Sequence, residues 1–297
     1  MFSNKEFYNY VKCNIADFFT NSADKKITIS EILKNNQTTM TGLIIRSEEQ
    51  KLSPILYLET YYQQYCEGKS LEELIVEIVN DYESLQVNFD INLDQLSDYK
   101  KIRSSLFVCL VNYERNKEKL KNCPYERIED LAITYRWIAS QDKNGIASAL
   151  VRNEDIKKWR VSKEQIKKDA MENTPKILPL VIQNLQDVIG LSNNEGNLMI
   201  FILTNTHFTN GASVILYDKV LKNFADKMNT NLYILPSSIH EVLLILERDI
   251  KNYREGMEGL VEIVKTVNQT SVAPEEILSD NIYYYDREKD SIRIASI

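Results

Sequence analysis

The sequence predicts an α+β fold, antiparallel hairpins and a mixed sheet with packed helices, and two observations carry that prediction. Short runs rich in Ile, Thr and Tyr come in pairs joined by turn residues, as hairpins require. Capping boxes stand ahead of apolar stripes of helical period, yet strands and helices do not alternate in the regular βαβ order of a parallel sheet.

In chain order, Ser3 and Glu6 have the capping-box spacing, and Phe2 with Phe7 forms a hydrophobic staple around the same terminus. The helix that follows carries Phe7, Val11, Ile15, Phe18 and Phe19 at helical period, so one stripe faces a core. Ile27 to Lys34 and Gln37 to Ile45 read as a hairpin around Asn35 and Asn36, residues that tolerate the positive φ of a tight turn. Tyr57, Tyr61 and Tyr65 fall four apart and share one face of a helix that begins near Tyr57. Each ring is apolar in body and polar at its tip, which suits the margin of a core or a protein interface. Ser70 and Glu73 repeat the capping box ahead of Leu71, Leu74, Ile75, Ile78, Val79 and Tyr82. Ser104 to Val111, Leu131 to Ala139, Ile146 to Val151 and Leu198 to Leu203 are apolar runs of strand length. Ser162 and Gln165, with Val161 and Ile166 as a staple, open another helix, and Pro175 sets its end near Thr174 because the residue before a proline avoids helical geometry. Asp218 is placed to cap a helix bearing Val220, Leu221, Phe224, Ala225 and Met228. Leu232 to Leu235 pairs with Glu241 to Leu246 across Pro236, Ser237 and Ser238. Tyr253, Met257, Leu260, Val261 and Val264 mark the last helix, and Ile282 to Tyr285 with Ser291 to Ala295 the last hairpin.

At 297 residues and 43% hydrophobic content the chain can bury a core without metals or disulfides. It reads as a single α+β unit over 1–297; if it has two lobes, the polar cluster 192–197 is the flexible joint. No apolar run has the length of a membrane span, so no membrane is expected, and Met1 to Phe19 lacks the uninterrupted apolar segment of a signal peptide. Cys13, Cys66, Cys109 and Cys123 form no CxxC pair, which fits free thiols in the reducing cytoplasm. A net charge of −7 disfavours nucleic acid, whose binding rests on counterion release by Lys and Arg. The basic run from Lys100 to Lys121 is interspersed with Asp98, Glu114 and Glu118 and reads as a solvated surface.

Several stretches carry a resemblance. They are Leu33 to Asn36, Thr41-Gly42-Leu43, Pro54 to Glu59, Tyr233 to Val242, Val272 to Glu276, Leu278-Ser279-Asp280 and Tyr283 to Arg287. By these the chain resembles a family of uncharacterised bacterial proteins, a domain of unknown function. The resemblance spans nearly the whole chain and implies an intact bacterial domain; it implies no activity, substrate or cofactor.

No Gly-rich phosphate loop, GxSxG elbow, HExxH helix or acidic calcium loop is present, so no cofactor and no metal site is expected. His207 and His240 are the only histidines. The sharpest local candidate is the turn Ser237 to Glu241. If the chain is extended there, Ser238 and His240 share one face and Glu241 the other, which leaves the serine marginal as a nucleophile for the histidine. Asp280, Asp286 and Asp290, with Glu275 or Glu276, could gather on a cation, but turn-forming and capping roles explain them more economically. The favoured expectation is a non-catalytic interaction or regulatory protein with a protein partner. The alternative is an enzyme, of hydrolytic type, built on His240, Ser237 or Ser238, and a carboxylate such as Asp280.

Overall fold

The computed structural model describes residues 1–19, 25–47, 53–86, 98–142, 145–190, 198–236, 238–250, 253 and 256–296. The chain divides into two compact units, Met1–Ile91 and Asn92–Ile297. The joint expected at 192–197 lies outside the described residues, as does Ser237.

The first unit packs helices on one small sheet. Helix α1 (Asn4–Asn14) runs into a 3-10 turn, Ile15–Phe18. Strands β1 (Lys25–Leu33), β2 (Thr39–Ser47) and β3 (Ile55–Tyr57) form an antiparallel sheet with β2 in the centre. Helices α2 (Leu58–Cys66) and α3 (Leu71–Gln86) follow. Both predicted capping boxes form: the Ser3 hydroxyl accepts the Glu6 N–H while Glu6 accepts the Ser3 N–H, and Ser70 and Glu73 do the same. Phe7, Val11, Ile15 and Phe19 are buried with Leu43, Ile45, Leu74, Ile78 and Tyr82, each such side chain contributing about 2 kcal/mol by leaving water. Phe18 departs from its predicted place in the stripe and is exposed, because the tighter 3-10 turn rotates it off the helical face. The β1–β2 loop is also longer than the predicted two residues. Lys34 N–H donates to the Thr38 carbonyl at 2.7 Å, and the positive φ values fall on Asn36 and Gln37 rather than Asn35. Gly42 is required by its neighbours, since a Cβ there would lie 2.6 Å from Ile55 Cγ2 and 2.7 Å from Ile32 Cγ1.

The second unit holds two sheets. Helix α4 (Tyr99–Ile102), β4 (Leu106–Asn112), α5 (Lys117–Leu120), β5 (Tyr125–Ile128), β6 (Leu131–Asp142) and β7 (Gly145–Leu150) come first. Strand β6 pairs with β4 along one edge and with β5 and then β7 along the other. Helices α6 (Asn153–Trp159) and α7 (Lys163–Ile177) lead to β8 (Leu180–Asn184), α8 (Leu185–Ile189), β9 (Ile200–Asn205) and a 3-10 turn, Gly211–Leu216. Then follow α9 (Val220–Met228), β10 (Leu232–Leu235), β11 (Val242–Leu246), α10 (Glu247–Ile250), α11 (Gly256–Thr270), β12 (Tyr283–Asp286) and β13 (Ser291–Ile294). The larger sheet has the order β13-β12-β10-β11-β9-β8, and its pairings are antiparallel. Its strands alternate as period two demands. Leu232, Ile234, Val242, Leu244 and Leu246 face the main core with α7 and α9, while Leu235 and Ile245 face Leu260 and Val264 of α11.

Two predicted helix boundaries move. Helix α7 continues past Thr174 through Pro175 to Ile177. The proline sits in the last turn, where it forfeits one main-chain bond, and Thr174 secures the end: its hydroxyl donates to the Ala170 carbonyl at 2.5 Å and accepts the β4 N–H of Val108 at 3.0 Å. Asp218 does not cap α9. It stands one residue too early, and Lys219, with φ 58°, occupies the N-cap position without a side-chain bond.

Candidate functional site

The turn between β10 and β11 meets the loop that follows β9. Thr204, at the end of β9, donates its hydroxyl to the His240 carbonyl at 2.8 Å, and Ala212 N–H donates to the Ile239 carbonyl at 3.1 Å. Gly211 makes this approach sterically attainable: a Cβ there would run into the His240 carbonyl and the Thr204 hydroxyl. From the other side Ile239 N–H donates to the Glu276 carbonyl at 2.8 Å. Two of the stretches that carry the resemblance, Tyr233 to Val242 and Val272 to Glu276, are thus in direct contact.

These bonds fix the His240 ring. Asn210 N–H donates to Nδ1 at 3.3 Å, so Nε2 carries the proton, and it points to Glu276 Oε1 at 3.2 Å. Ser238 lies in the same turn but is turned to the main chain: its hydroxyl accepts the His240 N–H at 3.0 Å. Residues 239 and 240 bend rather than extend, because a serine hydroxyl that accepts a main-chain N–H two residues on closes a local turn. The alternation expected of an extended segment therefore does not apply. Among the described residues neither ring nitrogen faces a hydroxyl, whereas a nucleophile activated by histidine needs that bond.

Asp280 is engaged elsewhere. Arg115 Nη2 donates to it at 2.7 Å and Asn268 Nδ2 at 2.9 Å. Glu276, not Asp280, is the carboxylate that His240 meets. Neighbouring groups stitch the same segment to the smaller sheet. Asn112 Nδ2 donates to the Leu278 carbonyl at 2.9 Å, and Asp130, in the β5–β6 turn, accepts Ser279 Oγ and the Tyr283 hydroxyl, each at 2.6 Å. Burial first, and the Asp130 charge second, push the Tyr283 hydroxyl far above its ordinary pKa, so it is a permanent donor. Asp286 accepts the N–H groups of Glu288 and Lys289 at 3.1 Å and Asp290 accepts the Tyr285 hydroxyl at 2.5 Å, both within the last hairpin. Among the described residues no three His, Cys, Asp or Glu side chains gather to hold a metal.

Four side chains of the basic run meet acids, Arg115 at Asp280 among them. Lys117 meets Glu114, Lys121 meets Glu118 at 2.7 Å, and Arg103 meets the buried Asp169 at 3.2 Å. A different surface is less well covered. Strand β8 ends the larger sheet and pairs only with β9 among the described residues. Its sequence, Leu180-Val181-Ile182-Gln183-Asn184, holds neither charge nor proline, and Ile182 there and Val188 and Ile189 on α8 are exposed. Sequence reasoning missed β8, because a five-residue strand shows too little period to register, and missed Asn210 and Glu276, whose approach to His240 is created by the fold alone.

No helix among the described residues is long and apolar enough to cross a membrane. No curated protein and no solved structure matches the chain. The profile of a family of unknown function, DUF5688, matches residues 4–287. With nearly its whole length matched, the chain belongs to the family DUF5688.

Proposed function

We propose that this is a non-catalytic interaction protein of a bacterial cytoplasm, and that it takes an extended segment of a protein partner along the edge of β8. The observation that carries the reading is an uncharged strand whose outer edge has no partner among the described residues, beside exposed Ile182, Val188 and Ile189. Soluble proteins normally blunt such an edge with lysine, proline or a bulge, and the opposite edge strand, β13, does carry Arg293. An unguarded edge instead supplies main-chain donors and acceptors to an added strand, with apolar side chains for specificity. The pairing of Arg103, Lys117 and Lys121 with acids argues against a nucleic-acid partner. Four unpaired cysteines fit a reducing compartment.

Ile182→Pro, which removes one N–H on the side of β8 away from β9, and Ile182→Lys test this in pull-downs of the tagged full chain from its own cells. A partner bound by the wild type and lost by both folded variants is expected. A partner retained by both variants, or none with the wild type, overturns the reading.

The His240–Glu276 contact favours a second reading, a hydrolase in which Glu276 orients the ring and a substrate displaces Asn210 from Nδ1. Its test is His240→Ala against a panel of ester and phosphoester substrates. Turnover by the wild type that disappears in the variant supports the hydrolase, and turnover unchanged by the variant, or absent from both, sinks it.

A further inference from the structure

The end of α9, the residues before β10, the start of α10 and the β12–β13 hairpin line an open cavity of about 380 Å³ that touches neither β8 nor His240. Every side chain lining it is polar or charged, Arg248, Arg287, Glu247 and Asn231 among them. Its geometry is set by Asn231 at the head of β10. The Asn231 amide accepts the Arg287 N–H at 3.0 Å and donates to Glu247 Oε2 at 2.9 Å, so one side chain holds the hairpin against the end of β11. Glu247 Oε1 accepts the Tyr284 hydroxyl at 3.0 Å. That hydroxyl is pushed up to about 12, by burial first and the Glu247 hydrogen bond next, and stays a donor across the working pH range.

The charges in this cavity are held by neutral groups. Glu247 receives hydrogen bonds from an amide and a phenol, both neutral donors. Arg287 donates from Nη1 to Asn229 Oδ1 at 2.6 Å, and among the described residues it forms no ion pair. Arg248 donates from Nη1 to the Met228 carbonyl at 2.8 Å, its nearest carboxylate being the loose contact with Asp249 at 3.7 Å. Asp286 is already committed to the N–H groups of its own turn and to Lys289. Among the described residues the remaining guanidinium donors have no further partner and Glu247 meets no cation. An anion alone would meet Glu247, Asp286 and Glu288; a cation alone would meet two arginines. A molecule carrying both signs satisfies each wall, and the absence of an apolar lining selects a small polar one.

We propose that this cavity binds a small zwitterion of the amino-acid class, with its carboxylate on the guanidinium groups of Arg287 and Arg248 and its ammonium on Glu247. The inference is independent of the β8 edge and goes beyond it. Isothermal titration calorimetry of the full chain with L-serine, L-glutamate and L-lysine in turn tests it, with acetate and methylammonium as single-charge controls. At least one amino acid is expected to saturate, with both controls at least tenfold weaker. Arg287→Gln, whose guanidinium makes one side-chain hydrogen bond, is expected to weaken binding at least tenfold without changing the unfolding midpoint. Glu247→Gln is expected to do the same where it remains folded. No saturation by any of the three amino acids up to about 10 mM overturns the proposal. So does acetate binding as tightly as the best amino acid, or undiminished affinity in Arg287→Gln.

Discussion

Tyr283 shows how much one buried hydroxyl decides. Its ring is fully within the main core, yet its oxygen reaches Asp130 of the smaller sheet at 2.6 Å, a bond between residues 153 positions apart. Asp130 also takes Ser279 and Asn281, so it is a junction rather than a reactive acid. Tyr283→Phe keeps the packing and deletes one donor to a carboxylate, and is expected to cost about 2 kcal/mol in urea unfolding. A change under a few tenths of a kcal/mol would show that water replaces the phenol. Gly211 and His240 follow the same logic of proximity. The histidine was visible as a candidate from its place beside Ser238, but its partners were not, because Asn210 and Glu276 lie 30 and 36 positions away in opposite directions. Nothing in local spacing reports such a meeting.

Helix starts were the most legible elements, since an N-cap and its third following residue interact whatever the rest of the chain does. Ser70 and Glu73 also couple stability to pH. The Ser70 side chain first, and its N–H next, hold the Glu73 carboxyl below its ordinary value of 4.5. A pKa depressed in the folded state contributes stability that is present above the unfolded value and lost as pH falls through the folded value. Ser70→Ala is therefore expected to lower stability by about 1 kcal/mol at neutral pH, with the gap from wild type narrowing on acidification below 4.5. Urea midpoints measured across that range check it, and a gap that persists unchanged into acid counts against it. Ends and edges were less legible. Pro175 signals a stop, but α7 is docked on β4 through Thr174, and that packing outweighs one missing main-chain bond. The tyrosine stripe resolved toward a core margin in the same way: Tyr61 is buried and donates to Asp81 at 2.6 Å, while the Tyr65 hydroxyl accepts the Phe2 N–H at 3.0 Å.

Among the described residues, the two largest buried clusters each fall within one unit. The cluster around Phe7, Leu43 and Tyr82 lies wholly within Met1–Ile91, and the one that joins both larger sheets lies wholly within Asn92–Ile297. Both tryptophans, Trp137 and Trp159, belong to the second unit. A fragment Asn92–Ile297 is therefore expected to retain a cooperative tryptophan-fluorescence transition in urea. A fragment with solvent-exposed tryptophan emission and no transition would show that its core needs the first unit. The α+β class, the capped helices and the three predicted hairpins were set by local chemistry, because period, caps and turn residues act over a few positions. The His240–Glu276 contact, the Asp130 junction and the Asn231-bridged cavity were set by folding. Each joins groups far apart in the chain, and only the burial of both sheets on a common core brings them within hydrogen-bonding reach.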